Sequence, residues 1–288
     1  MRANIDCVSS RYETIGVQPV APALGAEISG VDISKTLDDK TVAEIRAALL
    51  QHLVVFFRGQ SLTPETLLAF ARRFGEIAPY PFVKGMDAHP DVVEVVKRED
   101  EILNFGGIWH SDTTYLERPP MGSVLYAVEI PPLGGDTLFA NMYMAYEALS
   151  DGMKVLIDGL EGVNSAHKAD AAVGRIQRVS ERPTGEDEFT TQAVHPIVRT
   201  HPETGRKSLY VNRGHTVKVD GFTEEESQPI LEYLYTHQTR PEFSCRFRWT
   251  PGAVAFWDNR AAQHNAVNDY HGYRRVMRRV TLAGERPK

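Results

Sequence analysis

Apolar residues recur along this chain with two periods, and the period changes from segment to segment. Between 39 and 51, Val42, Ile45 and Leu49 form one stripe at helical spacing. Thr63 and Pro64 read as an N-cap followed by proline at the first helical position; Leu67, Phe70, Ala71 and Phe74 then repeat at i, i+3, i+4 and i+7, with Gly75 as the expected C-terminal stop. Met142, Ala145, Tyr146 and Leu149 predict a third helix. "TEEE" at 223–226 is a capping box ahead of Ile230, Tyr233 and Leu234 and predicts a fourth.

The remaining apolar segments are short and read as strands: "HLVVFF" ending at Phe57, "DVVEVV" at 91–96, "SVLYAVEI" at 123–130, "SLYVN" at 208, "SCRFRW" at 244 and "AVAFW" at 253. "SCRFRW" alternates, with Cys245, Phe247 and Trp249 on one face and Arg246 and Arg248 on the other. Helices scattered among many short strands do not make a strict βαβ alternation. The expected class is α+β, a β-sandwich or barrel with helices packed outside. The polar stretch from about 165 to 195 has no periodic apolar pattern and is expected to be a long loop or lid.

Composition narrows the setting. The 288 residues are 42 % hydrophobic and 24 % charged with a net charge of −6, which fits one large domain and disfavours a general nucleic-acid binder. Two cysteines, Cys7 and Cys245, stand far apart, which excludes a zinc ribbon or a disulfide scaffold and fits a reducing compartment. The N-terminal residues carry no apolar core of a signal peptide, and "LVVFF" is too short to span a bilayer. A cytoplasmic protein is expected.

Candidate chemistry centres on "GIWHSDTTY". In an extended strand i and i+2 share a face, so His110 and Asp112 could hold one metal ion together. A third ligand must come from elsewhere; among ten histidines His264, in "FWDNRAAQHNAVNDY", is the best placed, while His52, His89, His195 and His201 read as structural or solvated. In "YRRVMRRVTLA", Arg275, Met277, Arg279 and Thr281 share one strand face. Two guanidiniums on that face are either solvated or aimed into a pocket to grip carboxylates. Two histidines and one carboxylate form the facial triad of non-haem iron oxygenases.

With these residues in view, the chain resembles the taurine dioxygenase / 2,4-D dioxygenase (TauD/TfdA) family of Fe(II)- and 2-oxoglutarate-dependent oxygenases. The matching segments run in order from "LGAEISGVDI" and "VVFFRGQ" through "FARRFGEI", "WHSDTTY", "GGDTLFANMYMAYEALS" and "VRTHPETGRKSLYVN" to "WDNRAAQH" and "YRRVMRRVTLAG". The resemblance implies one domain over 1–288 with a double-stranded β-helix (jelly-roll) core, and His110, Asp112 and His264 as iron ligands. It implies that Arg275 holds the distal carboxylate of 2-oxoglutarate with help from Thr137, that O2 is consumed, and that a small anionic substrate is hydroxylated. A homodimer or homotetramer is usual for the family. The carboxylate ligand favours hydroxylation over halogenation.

Arg279 falls where the taurine enzyme grips its sulfonate. Tyr80 and Val83 stand in place of that enzyme's histidine and tyrosine, Gly106 in place of an asparagine, and His215 in place of a phenylalanine, which points away from taurine. "RYETIGVQPV" and "FSCRFRW" look more like the branch that cleaves phenoxypropionates to a phenol and a keto acid, with Tyr80, Phe82 and Tyr115 offering an aromatic wall. Alkyl sulfonates or sulfate esters are the alternative substrates. Arg279→Ala is expected to weaken an anionic substrate with little effect on the cofactors. Outside this class, a zinc hydrolase could use the same three ligands, although no HExxH signature accompanies them. A binding module with a basic terminal strand would show salt-sensitive DNA binding.

Overall fold

The computed structural model describes residues 12–81, 83–168 and 191–288. Phe82, Cys7 and most of the expected 165–195 insertion therefore lie outside the described residues.

"VVFF" at Val54–Phe57 is apolar at every position because the sheet that it enters is covered on both faces. That sheet has seven strands, in the spatial order Gly16–Pro19, Ala26–Ser29, Val54–Phe57, Val254–Asp258, Gly122–Glu129, Arg275–Leu282 and Val93–Lys97. Val55 and Phe57 point outward, where they join Val124, Phe256 and Leu282 in packing against helices Asp39–His52 and Pro64–Arg72 through Ile45, Leu49, Leu67 and Phe70. Val54 and Phe56 point inward, toward a three-stranded sheet of Ser244–Phe247, Thr137–Asn141 and Ala262–Ala266. Phe56 stacks on Phe247 at 3.8 Å and meets Phe139 edge-on at 5.7 Å, so aromatic rings fill the space between the sheets. A third apolar cluster seats helix Glu224–Gln238 and the short Met142–Glu147 helix against Leu209, Val211 and Val219.

Local chemistry sets the element ends. Thr223 and Glu226 cap each other's backbone as the sequence predicts, and Thr63 caps its helix with Thr66 as the reciprocal partner. The expected stop at Gly75 is corrected: the helix ends at Arg72, and Arg73 and Phe74 leave it through tight turns onto the Phe70 and Ala71 carbonyls. "SLYVN" is a strand only over Lys207–Leu209, because Tyr210 to Asn212 turn away to hydrogen-bond Ile197, Gln238 and Thr216. The alternation in "SCRFRW" holds, with Cys245, Phe247 and Trp249 buried. Burial pushes the Cys245 thiol up to about 12, so it behaves as an apolar side chain rather than a nucleophile. No helix among the described residues is long and apolar enough to cross a membrane.

Candidate metal centre

The two histidines named from the sequence are brought together by the backbone. His110 and His264 form an isolated antiparallel bridge, each donating its N–H to the other's carbonyl at 3.0 and 2.9 Å. Their rings lie 4.2 Å apart. Asp112 joins them from two residues further along, as the His-x-Asp spacing led us to expect. Residues 112–115 form a turn, with Thr113 at φ +42°, so the chain leaves the bridge straight after the His-x-Asp segment. Ligand atoms of His110, Asp112 and His264 all lie within 4.8 Å of one another.

The donor set suits a divalent ion. Asp112 Oδ1 is buried without a hydrogen-bond partner among the described residues and sits 3.7 Å from Nε2 of each histidine. That gap is too wide for a hydrogen bond but within the reach of atoms sharing one ion at about 2.1 Å each. His110 Nδ1 donates to the Ile108 carbonyl at 2.6 Å, which leaves the Nε2 lone pair for a metal. Burial and the neighbouring His110 hold His264 well below the ordinary histidine value, so it stays neutral and able to ligate.

The other carboxylate oxygen is anchored. Asp112 Oδ2 accepts from the Ser123 hydroxyl at 3.0 Å and from Arg279 Nη2 at 2.6 Å, and the same Nη2 donates to Ser123 Oγ at 2.8 Å. Burial would raise the Asp112 value, but the Arg279 guanidinium outweighs it and keeps the group ionised far below the usual carboxylate range. The Asp112 backbone N–H reaches Asn259 Oδ1 at 3.3 Å, which also accepts from the Trp257 indole. Ser123 and Asn259 were not legible in the sequence as site residues: one is a polar position in an apolar strand, the other one of several polar residues in a turn. Ser123→Ala is expected to lower iron affinity by roughly tenfold, read as the Fe(II) concentration that half-saturates the protein without oxygen.

A cavity opens beside the triad. Val95, Leu125, Phe139, Trp257 and Met277 give it apolar walls, and Thr137, Arg275 and Arg279 line it with His110 and His264. Arg275 is buried with Nε and Nη2 unpartnered, and bonds the Tyr270 hydroxyl. Burial lowers its value and Tyr270 opposes that. Thr137 Oγ1 accepts from the Trp249 indole at 2.9 Å, which leaves its own hydroxyl hydrogen to donate elsewhere.

The predicted substrate residues divide. The Tyr80 ring lies 4.7 Å from the Arg279 guanidinium. Tyr115 is buried edge-on to His215 at 5.1 Å, and His215 meets His110 edge-on at 5.9 Å; neither is among the cavity's lining residues. Gly106, which stands where the taurine enzyme has asparagine, lines the cavity at φ +77°, and a Cβ there would come within 3.3 Å of His110 Cε1. Of the four histidines read as structural or solvated, two are internal: His201 donates to Asp258 at 3.0 Å, and His195 bonds the Leu116 carbonyl at 2.9 Å; His89 is part-exposed and pairs with Glu65 at 2.8 Å.

A facial triad between two β-sheets, beside a cavity with a buried arginine at its far side, defines a non-haem iron oxygenase. The family described as "Taurine catabolism dioxygenase TauD, TfdA family" matches residues 16–281. A sulfate ester dioxygenase of Pseudomonas putida, named as α-ketoglutarate-dependent, is 39 % identical over 281 residues, covering 95 % of this chain and 91 % of its own. A (S)-phenoxypropionate/α-ketoglutarate dioxygenase of Sphingobium herbicidovorans is 31 % identical over 282 residues, covering 93 % and 95 %. The crystal structure of a taurine dioxygenase from Burkholderia xenovorans superposes with a TM-score of 0.81 at 41 % identity, over 96 % of this chain and 93 % of that one. The chain belongs to the TauD/TfdA family and is a 2-oxoglutarate-dependent non-haem iron dioxygenase that uses Fe(II), 2-oxoglutarate and O2. Its sheets and flanking helices are those of this jelly-roll family, as the sequence led us to expect.

Proposed function

We propose that this enzyme hydroxylates the carbon next to the ester oxygen of a small sulfate ester. The supporting observation is the 39 % identity, over 95 % of the chain, to a sulfate ester dioxygenase, against 31 % to the phenoxypropionate enzyme. This reverses the order of substrates read from the sequence segments and leaves the aryloxyalkanoates second. The cavity agrees: an apolar wall suits an alkyl chain, and Arg279 Nε, buried and without a partner among the described residues, supplies a donor for an anion.

In this reading His110, Asp112 and His264 hold the iron. Arg275 binds the distal carboxylate of 2-oxoglutarate through its two unpartnered nitrogens, with the Thr137 hydroxyl beside it. Iron with 2-oxoglutarate and O2 supplies the oxidising power, and 2-oxoglutarate leaves as succinate and CO2. The chain's own part is placement. Arg279 fixes the Asp112 carboxylate and orients the substrate anion, while Leu125, Phe139 and Trp257 exclude water from the reacting carbon. The hydroxylated ester then loses sulfate: the carbon–oxygen bond to sulfate breaks, the hydroxyl proton leaves, and an aldehyde remains. Tyr80, whose ring lies against the Arg279 guanidinium, is read as a residue of the substrate side. One domain over 1–288, a cytoplasmic location and a homodimer or homotetramer belong to the same proposal, supported by the family resemblance.

The test is a panel of alkyl sulfates, alkyl sulfonates and aryloxypropionates incubated with Fe(II), 2-oxoglutarate and air. The expected result is one sulfate released per succinate formed, from an alkyl sulfate. Phenol from an aryloxy acid, or sulfite from a sulfonate, without sulfate release would overturn the substrate assignment and leave the dioxygenase class standing.

A further inference from the structure

Lys97 is the last residue of strand Val93–Lys97, and it stands directly opposite Arg275 in the antiparallel ladder, one pair beyond Val95 and Met277 in facing direction. Residues opposed in such a ladder leave the sheet on the same face. Val95, Met277 and Arg275 all line the cavity, so Lys97 projects on the cavity side. It is only 2 % exposed, and its Nζ has no hydrogen-bond partner among the described residues. The ammonium lies 4.7 Å from the Tyr270 ring centroid, and the Arg275 guanidinium lies 6.0 Å from the same ring. Two buried cations thus share one aromatic neighbour on the face of the sheet that Arg275, Val95 and Met277 turn to the cavity. Three of their nitrogens, Lys97 Nζ and Arg275 Nε and Nη2, have no acceptor among the described residues. The nearby carboxylate Asp136 is engaged by Arg246 at 2.6 Å. A cation–π contact offsets only part of the cost of burying an ammonium, so a further acceptor is required.

We propose that Lys97 is a second cation of the subsite for the distal carboxylate of 2-oxoglutarate, acting beside Arg275. The inference rests on the reading of Arg275 given above. Lys97 hydrogen-bonds one carboxylate oxygen as a point charge, while Arg275 engages the group through its fork. The two cations favour a dicarboxylic 2-oxo acid over a monocarboxylic one of equal length, and Lys97 is a positioning and specificity residue that takes no part in bond making.

The experiment titrates the Fe(II)-loaded protein without oxygen, following the visible charge-transfer band, with 2-oxoglutarate and with 2-oxovalerate, which has the same chain length but no distal carboxylate. Lys97→Met should raise the Kd for 2-oxoglutarate roughly 10- to 100-fold and leave the Kd for 2-oxovalerate unchanged. Metal-free Lys97→Met should melt no lower than the wild type, since an unpaired buried charge has been removed. Lys97→Arg, which keeps the charge, should bind 2-oxoglutarate more tightly than Lys97→Met and serves if the methionine variant misfolds. Unchanged 2-oxoglutarate affinity in both variants, or equal weakening toward both oxo acids, would overturn the proposal. If the wild type itself gave no band, the assignment of Arg275 and the iron site would fall first.

Discussion

Asp112→Ala protein is expected to take up no iron at concentrations that saturate the wild type, and to lose turnover by a factor on the order of 10³ or more. Asp112 is the one anionic member of the triad, and its loss does more than remove a ligand. Arg279, now without its carboxylate partner, would remain as a buried positive charge beside the position of the cation. Electrostatics would then oppose metal entry, where in the wild type the carboxylate offsets both charges. His110→Ala should be milder, because neutral His264 and anionic Asp112 still face each other. Colorimetric iron content after anaerobic equilibration, with succinate formation on the same samples, reads both effects. Full iron occupancy in Asp112→Ala would show that the metal sits elsewhere.

Arg279→Met is expected to destabilise the metal-free protein by about 3–5 kcal/mol, the usual cost of leaving one partner of a buried ion pair behind. The Ser123 hydroxyl would then be the remaining hydrogen-bond donor, among the described residues, to a carboxylate that is 1 % exposed. Added Fe(II) should restore more stability to this variant than it gives the wild type, because the ion takes over as counter-charge. Urea unfolding with and without Fe(II), in the absence of oxygen, measures both. Stability equal to the wild type would mean that the Asp112–Arg279 pair contributes nothing. The expectation drawn from sequence, that Arg279 meets the substrate anion, is thereby enlarged: the structure ties this arginine to Asp112 as well, and its Nε has no partner among the described residues.

Much of the frame was legible because period and capping are local. The Thr223–Glu226 box, the stripe at Leu67, Phe70 and Ala71, and the alternation of Cys245, Phe247 and Trp249 each reflect one face meeting one core. Helix and strand ends were less legible: the turn after Arg72 depends on where Phe70 and Phe74 pack, and Tyr210 leaves its strand for tertiary partners. His110 and Asp112 were found through their spacing, which is local and brings their ligand atoms to one place. His264 could be singled out but not placed, because the bridge to His110 is a long-range pairing that no local pattern encodes. Ser123 and Lys97 were hidden for a shared reason. Each is a polar residue in an ordinary strand, where a solvated side chain is the usual reading, and only the ladder shows which face it shares.

The measurement that bears most directly on the metal centre is the visible spectrum of the protein titrated with Fe(II) and then 2-oxoglutarate, without oxygen. One iron per chain and a charge-transfer band that develops only when both are present are the result expected of His110, Asp112 and His264 holding an iron open to 2-oxoglutarate. No band, with zinc bound tightly and hydrolysis that proceeds without O2, would contradict it.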